Sequence, residues 1–107
     1  MRGRAAWVVA GALALAAGGC GQEKLTPEAE RGRLVYTSQC TACHAFDPSQ
    51  PGPVGPELKG SSRELLDAKV LHGTYPPGYK PKRPTAIMPP QTQVANDLPA
   101  LAAYLAK

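Results

Sequence analysis

The five residues Cys40-Thr41-Ala42-Cys43-His44 constrain this chain more than any other stretch. Early in a helix, residues three apart lie on one face, so both thiols can reach along one edge of a flat group. The histidine that follows at once brings an imidazole to the centre of that group. Cys-x-x-Cys-His is the pattern of c-type haem attachment, with two thioether links to the macrocycle and a proximal imidazole on the iron. A short chain that holds so large an apolar disc has to pack around it.

Other readings of the same cysteines compete. A thioredoxin-like dithiol needs a βαβ setting, and no stretch of this sequence has the alternation of a strand. A structural zinc site needs a second pair of ligands at His-x₃₋₅-His spacing or its equivalent. His44 adjoins Cys43, however, and the only other histidine is His72. A plain disulfide between Cys40 and Cys43 in an exported protein is the third.

The N-terminus is expected to be a processing segment. Arg2 and Arg4 form a positive start, Ala5 to Ala17 an apolar run, and Ala17-Gly18-Gly19-Cys20 a small-residue approach to a cysteine. The apolar run is shorter than the ~20 residues that span a bilayer. Its ending is similar to a bacterial lipobox, which makes 1–19 a lipoprotein signal peptide and Cys20 the lipidated residue. Cleavage after Ala14-Leu15-Ala16 is the alternative, and it leaves Cys20 as an unpaired thiol. Lipidation accounts for all three cysteines, two for haem and one for the anchor. Residues 20–25 then form a tether and 26–107 a single domain.

Charge gives no case for nucleic-acid binding. The formal +4 of the whole chain falls to +2 once Arg2 and Arg4 leave with the signal, and two haem propionates would cancel the rest. The remaining 88 residues bury only a modest core, and a covalent haem would serve as the staple that small domains need.

Along residues 26–107 the expected elements are helices. Thr26-Pro27-Glu28 starts the first, with Thr26 as N-cap and Pro27 at the first helical position, running to about Ser38. Gly32, Tyr36 and Cys40 lie four apart within or just after it, and a glycine inside a helix suggests a close crossing by another element. Ser61-Ser62-Arg63-Glu64 offers a capping box for a second helix to about His72, stopped by Gly73. Asn96 is expected to cap the last helix, whose stripe is Leu98, Leu101, Ala102 and Leu105. Between the second and last helices, Thr74 to Gln91 holds six prolines and no regular element can run through it.

Haem iron takes a second axial ligand unless that position is left open. With Met1 gone, the candidates are Met88 and His72. Met88 follows Ile87 and precedes Pro89-Pro90 in a stiff loop, a poor place for core packing and a good one for holding a thioether. His72 reads as a surface histidine near a helix C-terminus, where a cation is favoured. Bis-histidine ligation and an open iron stay as the alternatives.

These residues resemble the small bacterial class I (mitochondrial-type) c-type cytochromes over nearly all of 26–107. The landmarks are Gly32 and Tyr36 before the haem motif, Gly55-Pro56-Glu57-Leu58 after it, the Ile87-Met88-Pro89 run, and Leu101 and Tyr104 in the last helix. The resemblance implies an all-α, small cytochrome c fold. In it, three to four helices and a proline-rich Met loop wrap one covalently attached haem c. It also implies that the Pro56 carbonyl accepts the Nδ1–H of His44, that Leu58 packs on the haem, and that His44 and Met88 ligate the iron. The Tyr75–Pro84 stretch departs from the family pattern, leaving Tyr75, Tyr79, Lys80 and Arg83 as candidates to meet the propionates.

The expected function is a carrier of single electrons, not an enzyme, since no catalytic set can form around the one histidine left over. Its partners would be a membrane dehydrogenase or oxidase in the cell envelope, met by a monomer lipid-anchored at Cys20. Lys59, Lys69, Lys80, Lys82 and Arg83 either form a basic rim that steers an acidic partner or are scattered solvated charge. A subunit held permanently by a dehydrogenase or oxidase, and a binder of small gases with an open sixth site, are the competing readings.

Overall fold

The computed structural model describes residues 24–84 and 87–107, with the isolated Gly3 and Gly11. The expected signal peptide, apart from those two glycines, and Cys20, the residue expected to be lipidated, lie outside the described residues. So do Thr85 and Ala86, just before Met88. The described residues form helices and loops without a strand, in the order α1 (Pro27–Gln39), α2 (Arg63–Leu66), a π-helical run (Asp67–Leu71), a 3₁₀ turn (Thr92–Asp97) and α3 (Leu98–Leu105). No helix among them is long and apolar enough to cross a membrane.

Local chemistry sets the start of α1. Thr26 is extended and its hydroxyl accepts from the Ala29 amide at 3.1 Å, while Pro27 occupies a position whose N–H would have no partner. Glu28 and Glu30 sit where the helix dipole favours negative charge. The helix ends as Cys40 turns off, its amide still bonded to the Tyr36 carbonyl at 2.9 Å.

α1 and α3 pack against each other at Gly32. A Cβ on that residue would stand 2.0 Å from the Ala100 carbonyl oxygen and 2.9 Å from Tyr104 Cβ, so only glycine permits the approach. The tilted rings of Tyr36 and Tyr104, 5.7 Å apart, extend the contact along the helices. Arg31 binds Asp97 through Nε (3.1 Å) and Nη2 (2.8 Å), fastening α1 to the 3₁₀ turn. The core comprises Tyr36, Leu66, Val70, Val94, Leu98, Leu101 and Leu105, drawn from every helical element. Each fully buried aliphatic side chain contributes about 1.5–3 kcal/mol.

Two expected caps are corrected. The second helix is capped by Ser62, whose hydroxyl accepts from the Leu65 amide at 3.1 Å. Ser61 instead donates to the Leu58 carbonyl at 2.6 Å, so the box with Glu64 does not form. The earlier serine is held by the preceding turn and cannot serve the helix. Asn96 caps nothing, because the chain is already wound as a 3₁₀ turn from Thr92 and enters α3 without a side-chain cap. Pro99 still lies in the first turn of α3. Gly73, at φ 66°, ends the π-helical run as expected. Beyond it, the Gln91 amide returns to the Val70 carbonyl at 2.6 Å and anchors the far end of the proline loop.

Candidate functional site

The turn after α1 is built from the motif itself. The amides of Cys43 and His44 both bond to the Cys40 carbonyl, at 3.2 and 3.0 Å, which winds Cys40 to His44 into a single turn. The loop that follows doubles back onto it. The Val54 and Gly55 amides bond to the Cys43 carbonyl at 3.2 and 2.8 Å, and the Gly52 amide bonds to the Gly55 carbonyl at 2.9 Å.

This return fixes His44. Its Nδ1 is 2.9 Å from the Pro56 carbonyl oxygen, a partner that can only accept, so Nδ1 carries a proton and the lone pair of the neutral ring is at Nε2. The Gly55 backbone lies against the ring: a Cβ there would be 2.3 Å from Cε1, 2.6 Å from Nδ1 and 2.8 Å from Nε2. With 7% of its surface exposed, the imidazole has no room to swing. A third hold comes from α1, where the Tyr36 hydroxyl donates to the Ala45 carbonyl at 2.5 Å, next to the histidine.

His44 lines a cleft of about 320 Å³. Cys40 and Cys43 stand on the same wall, the first half-buried and the second exposed. Leu66, Val70, Leu101 and Leu105 bring the apolar core to its floor, and Pro56 and Leu58 line its side. Met88 also lines the cleft, half-buried and packed against the core. The fold thus brings together six of the expected site residues, Cys40, Cys43, His44, Pro56, Leu58 and Met88, from segments up to 48 positions apart. His72 is exposed and not among the lining residues.

The rim differs in part from expectation. Tyr75, Tyr79 and Arg83 line the cleft, but Lys80 does not, and its neighbour Lys82 takes the place. Tyr75 and Tyr79 stack at 5.3 Å with Lys69 lying 4.4 Å over the Tyr75 ring. Of the rim cations, Lys69 is thus engaged with a ring, Lys82 with Glu57, and Arg83 with the Gly52 and Val54 carbonyls. Sequence reasoning missed the Gly55 contact with the ring, the Tyr36–Ala45 bond and the carbonyls that Arg83 holds. No composition or spacing signal points to a bond whose acceptor is main chain.

The electrostatics of the cysteines separate the competing readings. Burial pushes the Cys40 thiol up to about 11, so in the bare polypeptide it is neutral at pH 7. A redox dithiol needs its reactive cysteine shifted the other way. Among the described residues no three His, Cys, Asp or Glu side chains are placed to hold a metal ion, so a zinc site lacks its donors. Cys40 and Cys43 are separate thiols rather than a disulfide.

The donor set fits haem c. An apolar cleft carries two thiols and a buried imidazole with a free nitrogen on one wall, and it carries a thioether as well. No curated protein and no solved structure matches the chain. Residues 27–105 match the family model described as cytochrome c oxidase, cbb3-type, subunit III. That match spans α1 to α3 and most of the chain, and with it the chain belongs to this family of c-type cytochrome domains, which bind haem c for electron transfer.

Proposed function

We propose that this protein carries single electrons through one covalently attached haem c, with His44 and Met88 as the axial pair. The observation that supports this reading best is the cleft, which joins Cys40, Cys43 and His44 to Met88. When bound, haem c supplies an iron that exchanges one electron at a time. Cys40 and Cys43 would hold it through thioethers, and His44 would present Nε2 because the Pro56 carbonyl occupies Nδ1. Met88, on the lining of the same cleft, would offer the iron a soft thioether sulfur, which favours the reduced state and raises the potential. The apolar floor of Leu66, Val70, Leu101 and Leu105 excludes water and limits reorganisation as charge changes. With His44 and Met88 both committed to the iron, the domain would offer no open coordination site to a substrate, and in this reading it is a carrier and not an enzyme.

In the same reading residues 1–19 are a lipoprotein signal peptide, and Cys20 anchors a monomer in the cell envelope through the tether 20–25. The partners are membrane-bound redox proteins. A second reading, the electron-accepting subunit of an oxidase complex, is favoured by the family description, which names an oxidase subunit. Purification of the tagged full-length protein from its membrane separates the two: a carrier elutes alone, a subunit elutes with the oxidase.

The axial assignment is tested by Met88→Ala. The variant is expected to keep its covalent haem, lose the sulfur-to-iron charge-transfer band and bind carbon monoxide when reduced. A parental spectrum in the variant contradicts Met88 as ligand.

A further inference from the structure

The segment leading to Met88 is fastened to the loop that holds His44 by two adjacent basic side chains. Arg83 donates from Nη1 to the Val54 carbonyl at 2.6 Å and from Nη2 to the Gly52 carbonyl at 3.0 Å. Lys82 donates to the Glu57 carbonyl at 2.9 Å and lies 3.4 Å from Glu57 Oε1. All three carbonyls belong to the return loop, and between them stand Gly55, which packs on the imidazole, and Pro56, whose carbonyl accepts from its Nδ1–H.

One side chain can serve two carbonyls of a tight turn because guanidinium is a rigid planar fork; a lysine cannot reproduce this. Bonds from a cation to a carbonyl are also stronger than neutral ones. A freely solvated rim charge would not be spent on main-chain oxygens 29 and 31 positions earlier in the chain. At its far end the same segment is held by the Gln91 amide on Val70. Met88 therefore lies between two fastenings, three residues from one and five from the other.

We propose that Lys82 and Arg83 form a positioning strap that ties the Met88 segment to the His44 loop and so couples the two sides of the haem cleft. The idea rests on the reading of His44 and Met88 as the axial pair. Releasing the strap lengthens the free loop around Met88 and loosens the turn over Cys43, because a longer loop has more open states to occupy. Neither residue touches the iron in this account; each acts through the loops that it joins.

The test uses the haem-loaded protein as parent, Arg83→Ala, Arg83→Lys, Lys82→Ala and Met88→Ala. Two readouts are taken: ferric affinity for imidazole, which competes with Met88, and amide exchange at Val54 and Gly55. Losing both Arg83 bonds is expected to tighten imidazole binding and speed exchange, each on the order of tenfold. Arg83→Lys is expected to recover part of both, and Lys82→Ala to show the smaller effect. If Arg83→Ala matches the parent in both readouts while Met88→Ala gains imidazole, the strap is overturned and the axial pair stands. If Met88→Ala matches the parent, the axial reading fails, and amide exchange alone decides the tie to the His44 loop. Should Arg83→Ala not fold, Arg83→Lys decides: parental values in both readouts overturn the strap.

Discussion

His44 is positioned by groups that lie far from it in sequence. Gly55 walls the ring, the Pro56 carbonyl accepts from Nδ1–H, and Tyr36 pins the carbonyl of the next residue. The phenol of Tyr36 is itself a reporter. Burial, with the neighbouring Cys40 thiol second, pushes it from 10.0 up to about 12. Folding therefore favours the neutral phenol, and the associated stability is complete below pH 10 and lost as pH rises toward about 12. Tyr36→Phe should lower stability at pH 7 by about 1 kcal/mol, since the Ala45 carbonyl loses its donor. It should also weaken the alkaline fall, and denaturant unfolding at pH 7 and across the alkaline range checks both. An alkaline fall of parental size in the variant would assign the titration to another group. That the cysteines, His44 and Met88 share one cleft could be read from the sequence, because the proposed attachment and ligation would demand particular atoms at particular spacings. Arg83 was legible only as a charge, since nothing in the sequence distinguishes a cation that holds carbonyls from one that faces water.

At the scale of elements, the close crossing of α1 and α3 is the contact most sensitive to a single atom. Gly32→Ala puts a methyl carbon 2.0 Å from the Ala100 carbonyl oxygen, and main chain cannot give way as a side-chain tip can. The helices must separate, which should cost about 2–3 kcal/mol and lower the melting temperature of the loaded protein. A melting temperature equal to the parent's would mean that the helices are not locked at this point. The glycine was legible because helix interiors disfavour it, which asks for a compensating contact. α1 began where Thr26 and Pro27 said it would, since a cap and a proline both act within one turn. The start of α2 moved by one residue because two serines compete, and the preceding turn takes the first through Leu58. The 3₁₀ turn at Thr92–Asp97 escaped notice: its residues are mostly polar, and Val94 is its one buried side chain.

At the scale of the molecule, the described helices and proline-bearing loops line an apolar cleft with Cys40, Cys43, His44 and Met88 in its walls. Its helical character could be foreseen, because no stretch alternates as a strand does while three stretches carry helix signals. The rim could not be foreseen in the same way. It depends on which cations find carbonyls, rings or carboxylates once the loops have closed, as Lys69, Lys82 and Arg83 do. The central claim is that the cleft holds a haem iron closed on both sides by His44 and Met88. Its most direct test is the optical spectrum of the soluble holoprotein, residues after Cys20, oxidised and reduced, with and without carbon monoxide. A low-spin spectrum with the sulfur-to-iron band in the oxidised form, and no response of the reduced form to the gas, is the predicted result. A high-spin spectrum or ready binding of carbon monoxide would contradict it.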